Sequence, residues 1–460
     1  MFWLEFAVVL TAIFIGARMG GIGLGVMGGL GLAVLTFVFH LQPTTPPIDV
    51  MLMIAAVVTA AGVLQAAGGL DYLVGVAERI LRSNPDRITF FGPLVTYFFT
   101  LFAGTGHVAY SVLPVIAEVS RETGVRPERP LSISVIASQQ AITASPISAA
   151  TVALLGLLGG TTAKLGFHIE LIDILKVCIP STLIGVILAA FVANRMGKDL
   201  AKDPEYQQRI TDGLVPELNF CEPTPAGARS LGAASSTFEK KEAPATAKIA
   251  VALFLIGAIS VVLFGSFPAL RPEWLVAGKA VKMGMPHVIE LVMLSVAALM
   301  ILICKVNVTK AVEGSVFIAG VQAVIAIFGI AWMGDTFFQG NMEFLGGSIK
   351  SMVTAAPWLF AFALFVLSVL LYSQAATVRA LMPLGITLGI PAPALMAMFP
   401  AVNGYFFIPN YPTIVAAINF DRTGTTRIGR YVLNHSFMLP GLVATASSVA
   451  IGFLLVKLLF

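Results

Sequence analysis

Apolar blocks close to twenty residues long recur from one end of this chain to the other, starting with MFWLEFAVVLTAIFIGA. That is the length a helix needs to cross the ~30 Å hydrocarbon of a bilayer. In hydrocarbon every backbone N–H and C=O must be satisfied within the chain, so the blocks read as helices and the fold class as all-α and polytopic. Hydrophobic residues are 57% of 460, charged residues 11%, and mean hydropathy is +0.91. Those values exclude a water-soluble globule. The first block has no basic leader and no small-residue cleavage site, so it reads as a retained span. Cys178, Cys221 and Cys304 are odd in number and widely spaced, which argues against a disulfide framework.

Residues 195–247 differ from the rest, being polar, charged and rich in Pro, Ala and Ser. They read as a cytoplasmic linker, helical at first, between a first half at 1–194 and a second at 248–460. Basic residues in short loops mark the cytoplasmic side. Arg79, Arg82 and Arg87 form one cluster, and Arg121, Arg126 and Arg129 another. Lys305 with Lys310, and Arg422 with Arg427 and Arg430, complete the set alongside the linker. Placing them inside puts both termini on the periplasmic side. The loop at 268–285, with Arg271, Lys279 and Lys282, then lies outside against the rule.

Residues 88–119 lie between two inside clusters. Two crossings need about 40 apolar residues, and this stretch is too short for them. A re-entrant hairpin with GTGH at its tip fits, the tip reaching a depth where loose backbone is tolerated only against protein or a polar cavity. The second half has the same order: a candidate hairpin at 351–388 with its tip at SQAAT, 373–377. Each hairpin is followed by a helix broken by proline and small polar residues, at 131–158 and at 393–419. Five crossings plus one hairpin per half is an odd number of passes, so the halves are expected to be inverted repeats. Broken helices meeting at a pseudo-twofold axis are characteristic of secondary transporters.

Each break offers a helix start. Ser145 is read as a cap with Pro146 at the first helical position; Ser373 caps the arm from Gln374; Asn410 with Pro412, and Thr105, supply two more. Each start exposes unpaired N–H groups and about +0.5 of an elementary charge, so four of them sum to about +2. Small dianions, dicarboxylates above all, are the natural ligands of such a site. The side chains able to read one are Thr105, Gly106 and His107 at the first tip, and Ser138, Gln139, Gln140, Ser145, Pro146 and Ser148 on the first broken helix. From the second half come Ser373, Gln374 and Thr377, then Asn403, Asn410, Tyr411 and Thr413. Against this stands the plainer reading that hydroxyls and amides merely satisfy broken backbone. His107 is either a carboxylate or proton ligand or a tautomer held by a carbonyl. Arg379 is either a substrate clamp or, the reading favoured, an arginine snorkelling to the surface. Glu290 and Asp335 read as surface acids near span ends.

Other patterns carry no chemistry. Gly23, Gly25 and Gly28 spell the dinucleotide fingerprint, but no strand precedes them and close helix packing explains them better. The five histidines have no metal-ligand spacing, and no nucleophile–base pair marks an enzyme. No nucleic-acid partner or cofactor is indicated, and whether a metal site exists is left open.

GARMGGIGLGVMGGLGL, VFHLQPTTPPIDVMLMI, LQAAGGLDYLV, AGTGHV, RPERP, STLIGV, FGIAWMGDT and FDRTGTTRIGRYVLNHSFMLPG together resemble the anaerobic C4-dicarboxylate transporter (Dcu) family, of the DcuA/DcuB type, along nearly the whole chain. The resemblance implies a bacterial inner-membrane carrier exchanging fumarate, malate or aspartate for succinate. Na+- or H+-linked symport is the alternative, and an anion channel a more distant one. The pattern of tips and broken helices also looks like the wider ion transporter superfamily. That likeness implies a homodimer whose transport domain moves like an elevator past a fixed scaffold. The superfamily's tips carry Ser-Asn-Thr; here stand Gly104, Thr105, Gly106 and Ser373, Gln374, Ala375, a departure at the positions that bind sodium there. In RPERP, Arg126 matches an arginine used for transport, beside the plainer reading of a topology-setting charge. A sensor-kinase partner is known for some members through an acidic residue after their YP. Here Thr413 and Ile414 take that place, so the role is not carried over.

Overall fold

The computed structural model describes residues 1–19, 22–46, 48–159, 169–213, 215, 244–276, 279–341, 356, 358–371, 373–409, 411–429 and 433–460. Most of the linker, Asn410 and the start of the 351–388 segment lie outside the described residues. Helices long and apolar enough to cross a bilayer run over Glu128–Gly159, Leu171–Ala193, Ala245–Gly265, Met285–Cys304 and Met438–Leu459. Helices Phe2–Met19, Gly23–Phe37, Ile48–Ala66 and the 26-residue Ser315–Gly340 accompany them. Helix Gly69–Ser83 is an addition to the sequence reading. It leaves the preceding helix at a bend of 71°. It is amphipathic, burying Ala77 and Leu81 while Arg82 pairs with Glu78 and Glu122. The all-α expectation needs one amendment, within the 268–285 loop. There Glu273–Val276 pairs antiparallel with Lys279–Lys282, Trp274 opposite Val281, giving an otherwise unsupported loop its own backbone partners.

The glycine pattern has a packing role. A Cβ on Gly25 would overlap the Ile325 carbonyl, one on Gly28 the backbone of Gly329, and one on Gly329 the Gly25 carbonyl. Helices Gly23–Phe37 and Ser315–Gly340 therefore touch backbone to backbone, as small residues allow between apolar helices. Loop residue Thr44 fastens to the same long helix: Trp332 Nε1 donates to Thr44 O at 2.5 Å, and Thr44 N donates to Thr336 Oγ1 at 3.2 Å. On another side of the molecule, Leu171–Ala193 packs along Met438–Leu459, where Gly185 admits Ser448.

Two pairs of short helices interrupt the long ones. Ile88–Ala103 and Ala109–Glu122 have 16 and 14 residues, about 24 and 21 Å, each short of the hydrocarbon thickness. Gly104, at φ 71°, ends the first arm, and a 3-10 turn over Gly106–Val108 begins the return. Left-handed backbone of this kind favours glycine. Trp358–Leu371 and Gln374–Thr387 form the second pair, 14 residues each. The first broken helix is Glu128–Ala144 followed by Ala149–Gly159. The second runs from Ala392–Met398 through a 3-10 segment, Phe399–Phe406, to Pro412–Phe420.

Candidate functional site

Gln139 and Gln140 sit little more than a turn before the first break, both buried. Pro146 forces the residue before it out of the helical region, and Ser145 accordingly ends the helix at ψ 128°. The cap is therefore displaced from the position expected for it. Ser148, not Ser145, accepts from Thr151 N at 3.1 Å, and it donates to Ile142 O at 2.6 Å, bridging the break. Ser145 Oγ receives only the Ile147 N–H, at 3.4 Å, and Pro146 lies in the turn rather than at the first helical position. Ser148→Ala should lower stability by about 1 kcal/mol and Ser145→Ala by less, read from thermal melts in detergent.

At the second tip Ser373 does cap its arm, accepting from Ala376 N at 3.2 Å, while Thr377 Oγ1 donates to Ser373 O at 2.8 Å. That hydroxyl is thus engaged with backbone. Gln374 Nε2 reaches across the molecule, donating to Gln139 Oε1 at 2.8 Å and to Asn403 Oδ1 at 3.2 Å. Asn403 Nδ2 in turn donates to Gln140 Oε1 at 3.2 Å, and Gln140 Nε2 to Thr445 Oγ1 at 3.0 Å. Asn403 is non-helical, at φ −101° and ψ 31° within its 3-10 segment, which frees its amide to point into this chain. The first tip abuts the same group: a Cβ on Gly106 would meet Gln139 Nε2 at 2.6 Å. Ser138 Oγ lies 2.8 Å from Thr100 Oγ1 and donates to Gly106 O at 3.4 Å.

Residues from both tips and both broken helices thus converge, and all the side chains of the amide chain are neutral. One donor is left over. Gln139 Nε2 is buried with no hydrogen-bond partner among the described residues, and a buried orphan of this kind calls for a ligand or a functional reason. Thr413 Oγ1 and Tyr405 Oη are also buried without such a partner. Tyr411 precedes Pro412, the first residue of its helix, and its ring stands 4.6 Å from that of Tyr405. Thr105 is half-buried at the first tip. The His107 side chain and Asn410 lie outside what the structure describes. Among the described residues no three His, Cys, Asp or Glu gather as metal ligands.

The two arginines are not in this chain of amides. Arg126 is buried at the opposite end of the first broken helix, its Nε 2.6 Å from Glu128 Oε2 and its Nη1 on Asp203. Glu128 Oε1 accepts from Ser436 Oγ at 2.7 Å, and Glu128 N donates to Thr425 Oγ1 at 3.3 Å. The Arg126 cluster therefore ties the start of the first broken helix to the loop after the second. Arg379 is only 8% exposed, so the favoured reading, snorkelling to the surface, is overturned. Its arm packs against helix Ser315–Gly340, where Gly334 closes on Ala380, and the flank carrying Arg379 is enclosed. Sequence reasoning missed Thr100 and Thr445. Thr100 could have been suspected one turn ahead of Gly104, whereas Thr445 sits in an apolar helix with nothing to mark it.

The comparisons with known proteins bear on what such a site carries. The family described as anaerobic C4-dicarboxylate membrane transporter matches residues 1–460. C4-dicarboxylate transporter DcuA of Wolinella succinogenes is 43% identical over 455 residues, covering 99% of each chain. Anaerobic C4-dicarboxylate transporter DcuB of Escherichia coli O157:H7 is 42% identical over 455 residues, with 99% of this chain and 98% of that protein covered. Among solved structures, the YdaH transporter of Alcanivorax borkumensis aligns over 95% of this chain and 98% of its own with a TM-score of 0.55 at 15% identity, a likeness of fold alone.

Proposed function

This chain belongs to the anaerobic C4-dicarboxylate membrane transporter family, a family of transporters and not of enzymes, and we propose that it is a secondary carrier exchanging fumarate, malate or aspartate for succinate. It is a multi-pass membrane protein. The observation that carries the reading is the buried amide chain Gln374–Gln139 and Gln374–Asn403–Gln140, drawn from three separate helix breaks, with Gln139 Nε2 unpaired. Neutral donors at helix ends favour an anion through hydrogen bonds and dipoles without a permanent counter-charge to trap it. A carrier needs that balance, since it must release its cargo on the far side. Ser138, Gln139, Gln140, Ser373, Gln374, Asn403 and Thr413 are the proposed contacts, with Thr105 and Gly106 at the first tip.

The repeated order of crossings, paired short arms and broken helix supports inverted repeats, with the tips near mid-membrane. The glycine-locked pair Gly23–Phe37 and Ser315–Gly340 suits a fixed scaffold. The hairpins and broken helices would then form the body that moves as an elevator, in a homodimer of the bacterial inner membrane with both termini periplasmic. Purified protein in liposomes loaded with succinate should take up labelled fumarate many times faster than empty vesicles do. Equal uptake into empty vesicles would mean a channel, and uptake there driven only by an imposed Na+ or H+ gradient would mean symport. No dicarboxylate movement under any condition sinks the substrate reading itself.

A further inference from the structure

Arg379 is an intramembrane cation without a full set of partners. It is 8% exposed, and its Nε has no hydrogen-bond partner among the described residues. Charge in apolar surroundings is expensive and is retained where it serves a path for ions or substrate. The negative charges it feels belong to Asp335, on helix Ser315–Gly340, and to Asp49. Asp335 is held on the scaffold side, between Trp332 and Thr336, to which Thr44 is fastened. Arg379 follows Gln374 by five residues on one helix, about 8 Å along the axis and on a different flank. It therefore lies beyond the amide chain, at the seam between the hairpin arm and the glycine-locked helix.

We propose that Arg379 is a carboxylate-capture point on the path to the amide chain: when the hairpin arm parts from helix Ser315–Gly340, one carboxylate of an arriving dicarboxylate docks on the unpaired Nε edge of the guanidinium, drawn against the field of Asp335. A guanidinium presents Nε and Nη donors in a fork matched to a carboxylate, and the buried Nε of Arg379 has no hydrogen-bond partner among the described residues. The neutral amides then take the substrate over, so capture and deep binding fall to different residues. This inference rests on the dicarboxylate-carrier reading above.

Exchange kinetics of the full chain in liposomes test it, with melting temperature measured alongside. Arg379→Gln should raise KM for the dicarboxylate about tenfold, the loss of one charge-assisted contact, with kcat changed much less. Asp335→Asn, which keeps the guanidinium and removes the nearby opposing charge, should lower KM about threefold. The double variant Arg379→Gln/Asp335→Asn separates capture from a merely structural balance of the two charges. Under capture its KM stays high; under a structural role, neutralising both partners restores it. Wild-type KM in the double variant, or a KM in Asp335→Asn that is unchanged or raised, overturns the inference. Were Arg379→Gln to misfold, the Asp335→Asn result alone still decides. A wild-type protein that moves no dicarboxylate would instead defeat the parent reading, and this one with it.

Discussion

Gln374→Leu should lower kcat/KM for dicarboxylate exchange about 100-fold, about 2.7 kcal/mol, and leave a folded protein. Leucine nearly matches the volume of glutamine but removes the donor shared by Gln139 Oε1 at 2.8 Å and Asn403 Oδ1 at 3.2 Å. Each buried acceptor left unpaired costs about 1–3 kcal/mol. Both can recover part of this by swinging toward neighbouring backbone, and the arm keeps its Ser373 cap, so the helix itself persists. What is lost is the arrangement that aims the amides. Gln374→Glu is the sharper companion. A carboxylate there faces two acceptors and repels a dianion, so uptake should fall at least as far. The measurement is initial exchange rate against substrate concentration, with a melting curve for each variant. Exchange at the wild-type level in Gln374→Leu would remove the amide chain from the transport path.

The parts of this site legible in the sequence are those that depend on local chemistry. Gly104 ends an arm because a glycine before a polar turn is a helix stop whatever surrounds it. Ser373 caps because the serine, the polar tip and the apolar arm fall in order. The stretch from 88 is too short for two crossings, an argument from length alone. The rest depends on distance across the fold. Nothing local says that Gln374 meets Gln139, 235 positions away, or that Gln140 finds Thr445, 305 positions away. Ser145 and Ser148 are equally good caps by composition, and only the direction Pro146 imposes on the backbone separates them. The surface placement expected for Arg379 failed for the same reason, while Asp335 is half-buried. A charge near a span end is exposed or enclosed according to what packs on it, and its own helix does not say.

Gly329→Leu should leave little or no monodisperse protein. A side chain at 329 starts inside the carbonyl of Gly25, and Gly28, one turn further along the same helix, also lies against the 329 backbone. No rotamer relieves an overlap of Cβ with main chain, so the helices must part. Overpacking that displaces backbone costs about 1–3 kcal/mol, at times more, and here the separation also opens neighbouring contacts: Gly31 sits on Met333 and Gly320 on Val58. Gly29→Leu is the control, one residue from Gly28 on the same helix with nothing within 4 Å of its Cβ. It should express and melt as the wild type does, because intrinsic preference disfavours glycine in a helix. Size-exclusion profiles and melting temperatures in detergent compare the two. A Gly329→Leu protein as stable as the Gly29→Leu control would show that the helices need no direct backbone contact. A looser pair would also disturb the turn that carries Trp332, Asp335 and Thr336 and its fastening to Thr44. Milder variants such as Gly329→Ala should therefore lose exchange activity before they lose the fold, if helix Ser315–Gly340 serves as the fixed surface past which the hairpin moves.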